Sequence, residues 1–512
     1  MGPSQKRRWT LIATILASSM TFIDMTVVNV ALPALQKELD ATITDVQWVV
    51  EAYALFLGAL ILVGGSLGDQ LGRRKIFLIG VAAFTAASVW CGFATSPRIL
   101  IVGRALQGIG AAFLVPGSLA IISATFDDAE RGRAIGTWSG FSAITTAAGP
   151  ILGGWLIENV SWRSAFFLNV PIAAIVVFLS LRYMDESEDP SRTGGVDWMG
   201  ASLAVLGLGG IVFGLLEWPP LGPAHPLVVG SLAVGAVSLG FLIVVENKAA
   251  SPMMPLHLFR SRTFTLTNAL TLLLYGGLGV VFFLLPLLLI QVGGYSATAA
   301  GAAIVPLPII MFALSRWSGG LVVRTGPRLP LTVGPIIAAI GLALFVRVGV
   351  GASYWSTIFP AVVLLGLGMA ITVAPLTTTV MAAVPSDHAG VASGINNTVA
   401  RVAGLLAIAV FGVVLVRSFD REIQPRLERL SLSPAARAEI EKQLPRMAGA
   451  EIDGASLHAE QRKAVKMAID DAFLSGFRVV VIEAAVLALA AAGFGAFVRE
   501  RPARRPNEPM TA

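Results

Sequence analysis

The sequence predicts an all-α polytopic membrane protein of two six-helix bundles with two helices inserted between them, fourteen spans in total. Three observations carry this. The 512 residues are 55% hydrophobic and only 13% charged, with a mean hydropathy of +0.77, too little polar surface for a water-soluble globule of this size. Apolar runs of about twenty residues, the length of helix that crosses roughly 30 Å of hydrocarbon, recur along the chain. Two sequence strings also recur at nearly constant offsets.

The first run, 10–32, follows Lys6, Arg7 and Arg8. It is too long for a signal peptide and lacks a small-residue cleavage site before Pro33, so it is read as a retained first span. Runs at 46–67, 76–96, 98–122, 134–157 and 165–184 complete a bundle over 1–184. The polar stretch 185–197 reads as a cytoplasmic linker. Runs at 198–217 and 226–246 form the inserted pair. Those at 264–290, 297–323, 329–349, 355–383, 394–416 and 476–498 form a second bundle over 247–498, followed by a tail at 499–512.

Lys and Arg in short loops set orientation, because cytoplasmic loops retain them. One set of alternate connections holds Arg73, Arg74, Lys75, Arg131, Arg133, Arg182, Arg192, Lys248, Arg260, Arg262, Arg324 and Arg328, and both termini are basic. The other set has only Lys37, Arg98, Arg163 and Arg347 in its short loops. Both termini are therefore expected in the cytoplasm of a bacterial inner membrane. The segment 417–475 is long enough to be exempt from the rule and is placed outside. Its stretches at 433–445 and 456–473 have helical composition, with Ser433 and Pro434 as cap and first-turn residues. It is read as a hairpin over the outer face, and a periplasmic adaptor protein is the partner such a loop could meet.

The net charge of +6 forms no stripe with interleaved aromatics, which excludes nucleic acid as a partner. Cys91 is alone, so no disulfide framework exists, and four scattered histidines suggest no metal site. No phosphate-cradling loop ending in Gly-Lys-Ser or Gly-Lys-Thr is present, which disfavours ATP-driven transport. The spans lack the clustered His and Asp or the Ser/His pair of a hydrolytic enzyme. No cofactor is expected.

The repeat gives the bundles their relation. GSLGDQLGRRK at 65–75 is echoed by GGLVVRTGPR at 319–328, pairing Gly65 with Gly319, Gly72 with Gly326 and Arg74 with Arg328. A second echo pairs Gly108 with Gly366, Gly110 with Gly368 and Gly136 with Gly394. The span index shifts by eight in both, so the repeat is six helices plus the inserted pair. Transporters built of two such bundles hold substrate at the midplane and rock one bundle against the other.

These strings resemble the major facilitator superfamily, and specifically its fourteen-span drug:proton antiporters. The 65–75 string resembles the superfamily's loop motif, which implies a gate latch built on Gly65, Asp69, Gly72, Arg73 and Arg74. Val323 replaces Asp69 in the second copy. GRALQGIGAA at 103–112 resembles its proton-transfer motif, centred on Arg104. GPILGG at 149–154 resembles the motif of its exporters, with Gly149, Pro150, Gly153 and Gly154 as the small and bending residues; Thr145 departs from the fullest form. FIDMTVVNVALP at 22–33 resembles the first-span signature, and WRSAFFLNVP at 162–171 is a further family-like string read as structural.

Ionisable groups at membrane depth are costly and are normally paired, wet or functional. At ~1.5 Å per residue, Asp24 lies about 22 Å from the cytoplasmic start of the first span, while Arg104 and Glu51 lie about 9 Å and about 8 Å from the outer starts of theirs. These depths nearly coincide, so Asp24, Glu51 and Arg104 are expected to form one acid-base group. Desolvation disfavours a carboxylate's charge and a nearby guanidinium restores it, so relative movement would load and unload a proton. The alternative is a static Asp24–Arg104 ion pair. Glu483 is a second protonatable candidate or a partner for Arg347. Met25, Asn29, Tyr53, Phe56, Trp138, Phe141, Tyr275, Phe282, Asn396 and Arg401 are the candidate lining of a substrate cavity suited to flat apolar or cationic molecules. The resemblance implies a proton-coupled exporter of drugs, dyes or antiseptics. A dedicated exporter of a metabolite, lipid or peptide stays open, as does a non-transporting sensor.

Overall fold

In the computed structural model the described residues are 3–188, 196–249, 252–385, 388–452 and 457–498. Most of the expected linker, 189–195, and the tail at 499–512 lie outside them. Among the described residues there are helices and no strands, and fourteen helices are long and apolar enough to cross a membrane. They are α1 Ser4–Glu38, α2 Ile43–Leu71, α3 Arg73–Gly92, α4 Pro97–Thr125, α5 Glu130–Asn159, α6 Ser164–Tyr183, α7 Trp198–Leu216, α8 Pro226–Lys248, α9 Arg262–Val292, α10 Ala297–Gly319, α11 Arg328–Arg347, α12 Tyr354–Ala382, α13 Gly390–Glu428 and α14 Ala459–Ala496. The end of the bundle that holds the α2–α3 and α4–α5 connections is called the basic end below, and the opposite one the far end.

Local signals explain where helices begin. Thr42 and Asp45 exchange a reciprocal capping box before α2, Ser96 caps α4 with Pro97 at its first position, and Ser261 caps α9. Small residues then let helices approach closely. A Cβ on Gly110 would stand 2.5 Å from the Phe84 nitrogen of α3, and one on Gly368 would stand 2.4 Å from the Ala338 nitrogen of α11. The α3/α4 and α11/α12 contacts are thus made by corresponding residues, so the sequence repeat is also a packing repeat.

α7 and α8 pack on each other, and α7 also packs against α2 and α13. Leu208, Val212 and Leu216 of α7 share a buried cluster with Leu55 and Ala59 of α2 and Leu405 and Ala409 of α13. The inserted pair therefore lies along a seam between the two bundles.

The largest departure from expectation is at the far end. α13 continues to Glu428 and α14 begins at Ala459, so both ends of 417–475 extend the spans as helix. The reason is a buried stripe that hydropathy averaging hides beneath charged neighbours. Leu415, Phe419, Ile423 and Leu427 recur every fourth residue and pack in one core with Val465, Ile469, Phe473 and Phe477, while Arg426 pairs with Asp471 on the surface at 3.1 Å. The remaining turn carries the expected short helix, Pro434–Gln443, capped by Ser433. It folds onto the first bundle: the Gln36 amide donates to the Arg446 carbonyl at 3.0 Å, and the Arg446 guanidinium pairs with Asp40.

Candidate functional site

Asp24, on α1, is 1% exposed, and so is Arg104 on α4. The Arg104 guanidinium donates through Nη1 to Asp24 Oδ2 at 2.6 Å and to Gln107 Oε1 at 2.7 Å, and through Nε to the Val49 carbonyl at 3.0 Å. Gln107 Nε2 donates to Asp24 Oδ1 at 2.7 Å, and Asn169 Nδ2 approaches the same oxygen at 3.5 Å. Ser88 Oγ accepts from Asn169 at 2.9 Å and donates to the Phe166 carbonyl at 2.9 Å. The Tyr53 ring covers the guanidinium at 4.4 Å from its centroid. Four helices, α1, α3, α4 and α6, thus contribute side chains to one buried polar network, with α2 supplying the Val49 carbonyl and the Tyr53 ring. Buried charge is tolerated where the partner geometry is good and further hydrogen bonds are made; here Asp24 accepts from Arg104, Gln107 and Asn169, while Asn169 Oδ1 has no hydrogen-bond partner among the described residues.

Glu51 does not join this group, contrary to the three-member cluster expected above. It is fully buried, and neither carboxyl oxygen has a hydrogen-bond partner among the described residues. Depth alone predicted the cluster, whereas azimuth separates it: Val49 and Tyr53 face Arg104, and Glu51 lies two residues from each, near the opposite side of α2.

Tyr53, expected to line a cavity, is 2% exposed and belongs to the Arg104 network instead. Phe56 packs beside the α2–α7–α13 cluster. Trp138 donates to Ser18 Oγ at 2.9 Å and ties α5 to α1. Met25 and Phe141 are exposed, and Asn29, Tyr275 and Phe282 are half-buried. Asn396 donates to Asn268 Oδ1 at 3.1 Å and Thr271 Oγ1 at 2.7 Å, a neutral polar patch between α13 and α9. Arg401, half-buried on α13, approaches Gly58 of α2: a Cβ on Gly58 would stand 3.9 Å from the Arg401 Cβ. Glu483 has no hydrogen bond or ion pair among the described residues, so the alternative contact with Arg347 is not made.

At the basic end, Asp69 accepts from Arg73, one turn on, at 2.9 Å. Gly72, at φ +105°, makes the turn into α3. Glu186 accepts from the backbone nitrogens of Arg74 at 2.9 Å and Lys75 at 3.2 Å, placing an acid on the α3 N-terminus. Arg74 also donates to the Met184 carbonyl at 2.9 Å. Gly65 lies against Pro116 of α4. In α5, Gly149 and Gly153 lie against Thr26 and Val27 of α1, whereas Gly154 and the Pro150 carbonyl meet α10 at Ala297 and Gly301. The 149–154 string therefore joins its own bundle and the other one at the far end.

Sequence reading missed Gln107, Asn169, Ser88 and Glu186. Two of these carried a signal: Gln107 stands one turn after Arg104 in the 103–112 string, and Asn169 stands in the 162–171 string that was read as structural. Ser88 and Glu186 offered none beyond being polar.

Two repeated bundles with a shared seam and an ion pair buried within the spans define a polytopic helical membrane transporter. The family model of the Major Facilitator Superfamily matches residues 14–408, and the chain belongs to that superfamily. It is 35% identical to a multidrug resistance protein of Mycobacterium tuberculosis over 93% of this chain and 89% of the relative. It is 32% identical to the tetracenomycin C resistance and export protein of Streptomyces glaucescens, over 98% and 94% of the two chains. Among solved structures, a bacterial homologue of the human lysosomal transporter Spinster, inward-facing and unoccupied, matches its fold with a TM-score of 0.64 at 18% identity, covering 97% of this chain and 99% of that one.

Proposed function

We propose that this chain is a proton-coupled antiporter that exports small apolar or cationic compounds across the bacterial cytoplasmic membrane, with both termini cytoplasmic and no cofactor. The observation that carries the coupling is the Asp24–Arg104 contact at 2.6 Å, held at 1% exposure by Gln107 and Asn169. Three donors converge on the Asp24 carboxyl, so its charge is held only while Arg104 and Gln107 stay in place. A shift of α4 relative to α1 within the first bundle that draws Arg104 away leaves the carboxyl without its partner, and proton uptake then neutralises it. Return of Arg104 expels the proton. This is the cycle an antiporter requires, run by α1 against α4.

Drug export is supported by the relatives, whose names speak of multidrug resistance and of resistance and export. An exporter of an endogenous metabolite, lipid or peptide is the second reading, favoured by the neutral Asn268, Thr271 and Asn396 patch, which offers hydrogen bonds and no charge.

The test is dye and drug efflux from proteoliposomes carrying a proton gradient. Asp24→Asn is expected to abolish gradient-driven efflux while the protein still inserts and elutes as wild type. Unimpaired efflux in that variant makes the pair a structural contact. Efflux that ignores collapse of the gradient removes antiport, and absence of any dye movement favours a dedicated cargo.

A further inference from the structure

The seam between α2 and α13 contains an acid that the Asp24 site does not use. Three contacts define which face of α2 meets α13. A Cβ on Gly412 would fall 2.0 Å from the Gln47 amide nitrogen, Leu55 clusters with Leu405 and Ala409, and Gly58 faces Arg401. Positions 47, 55 and 58 share one stripe of the helix, and Glu51 occupies its missing turn. It is fully buried, and among the described residues neither its carboxyl oxygens nor Gln47 Nε2, buried one turn away on the same stripe, has a hydrogen-bond partner.

The charged and titratable groups around α2 leave Glu51 alone. Asp24 on α1 and Arg104 on α4 hold each other across the opposite face. Glu217, at the end of α7, accepts from Trp48. Arg417 of α13 stacks on Trp218, and Arg446 pairs with Asp40. Arg401 of α13 lies beside Gly58, two turns along from Glu51. Cys91 of α3 faces Gln107. On α2 itself, Asp45 is engaged by Thr42, Tyr53 covers Arg104 and Asp69 pairs with Arg73. None of them hydrogen-bonds or ion-pairs with Glu51.

Two adjoining buried polar side chains without partners are a poor choice for a permanent interface and a natural one for an interface that opens to water. We propose that Glu51 is a second proton-binding residue, which gates the far end: α2 and α13 close over Glu51 only when it carries a proton, and part when it does not. On closure one proton passes from far-side water to a carboxyl oxygen, converting −1 to 0 at the seam, and on opening the same proton returns to water. Built on the antiporter reading above, this ties the reset of the exporter, after cargo leaves outside, to proton uptake from that side. Asp24 then couples cargo to protons and Glu51 couples closure to them.

The test reads conformation, so it stands apart from transport. Spin labels at Val160→Cys on the end of α5 and Val350→Cys in the α11–α12 turn, both exposed, report the far-end separation of the two bundles by double electron-electron resonance. The full chain is used in lipid nanodiscs, with the buried Cys91 replaced by Ser. For a single linked proton, raising pH from about 5.5 to about 8.5 should raise the open-to-closed ratio by up to about tenfold per unit. Glu51→Gln is expected to hold the short distance throughout, with less than about a twofold change in that ratio over the range. Glu51→Leu is expected to do the same and serves if the amide variant fails to fold. Glu51→Asp, which keeps a titrating carboxyl, is expected to retain the response. A Glu51→Gln or Glu51→Leu protein that titrates like wild type, or a wild type that stays closed at every pH, overturns the proposal. Loss of gradient-driven efflux with this titration intact would instead count against the antiporter reading alone.

Discussion

The two bundles repeat their packing and not their chemistry. Gly110 of α4 meets the backbone of α3 as Gly368 of α12 meets that of α11. Four residues before Gly108 stands Arg104, ion-paired and buried; four residues before its counterpart Gly366 stands Val362, 1% exposed in the apolar core. Where the first bundle surrounds Asp24 with donors, the second has the neutral Asn268, Thr271 and Asn396. Where Asp69 pairs with Arg73, the second copy carries Val323, 89% exposed. Backbone contact is what a duplicated scaffold needs in both halves, because each bundle has to hold its own helices together. A buried charge is costly unless its partners are in place, and at these corresponding positions only the first half carries one.

Breaking the comparison at its centre should give the largest effect. Arg104→Ala leaves the Asp24 charge buried without its partner and should cost about 3–5 kcal/mol, whereas Val362→Ala removes two methyl groups and should cost about 1–2 kcal/mol; thermal unfolding in detergent measures both. Next is Asp24→Asn, for which gradient-driven efflux should be abolished, a fall of at least about a hundredfold, the scale of losing a positioned proton-transfer group. Equal losses sharpen the packing half of the comparison: Gly110→Ala and Gly368→Ala should each destabilise by about 1–3 kcal/mol, by forcing apart helices in backbone contact. Markedly unequal losses in the same unfolding assay would show that the repeat is one of sequence only. The smallest effect belongs to the basic end. Asp69→Asn removes a partly exposed pair worth under about 1 kcal/mol, so turnover should slow by no more than about fivefold with substrate affinity kept. Val323→Asp, on an exposed position of the other copy, should change neither.

The span count could be read from the sequence because hydrocarbon thickness imposes a length and the basic loops impose a parity. Asp24 and Arg104 could be placed at one depth because helical rise converts residue number into distance. The same arithmetic misplaced Glu51, since depth says nothing about which side of a helix a residue occupies; that needs the neighbours, here Gly412 and Leu405 on one side and Arg104 on the other. Gln107 and Asn169 were visible within motif strings, but an uncharged amide in an apolar run has no distinguishing cost until its partner is known. The ends of α13 and α14 were misjudged because averaging over charged residues concealed a stripe at every fourth position.

What the sequence by itself determined is the class: a fourteen-span, internally repeated membrane protein with two acids and one base at a common depth. Those properties are one-dimensional, being lengths, spacings and the location of loop charge. Tertiary structure decided which polar groups share a site, which acid stands alone at the seam, and that the inserted helices border both bundles. Such relations depend on the azimuth and pairing of helices. Close contacts between residues hundreds of positions apart set both, and no local pattern encodes them.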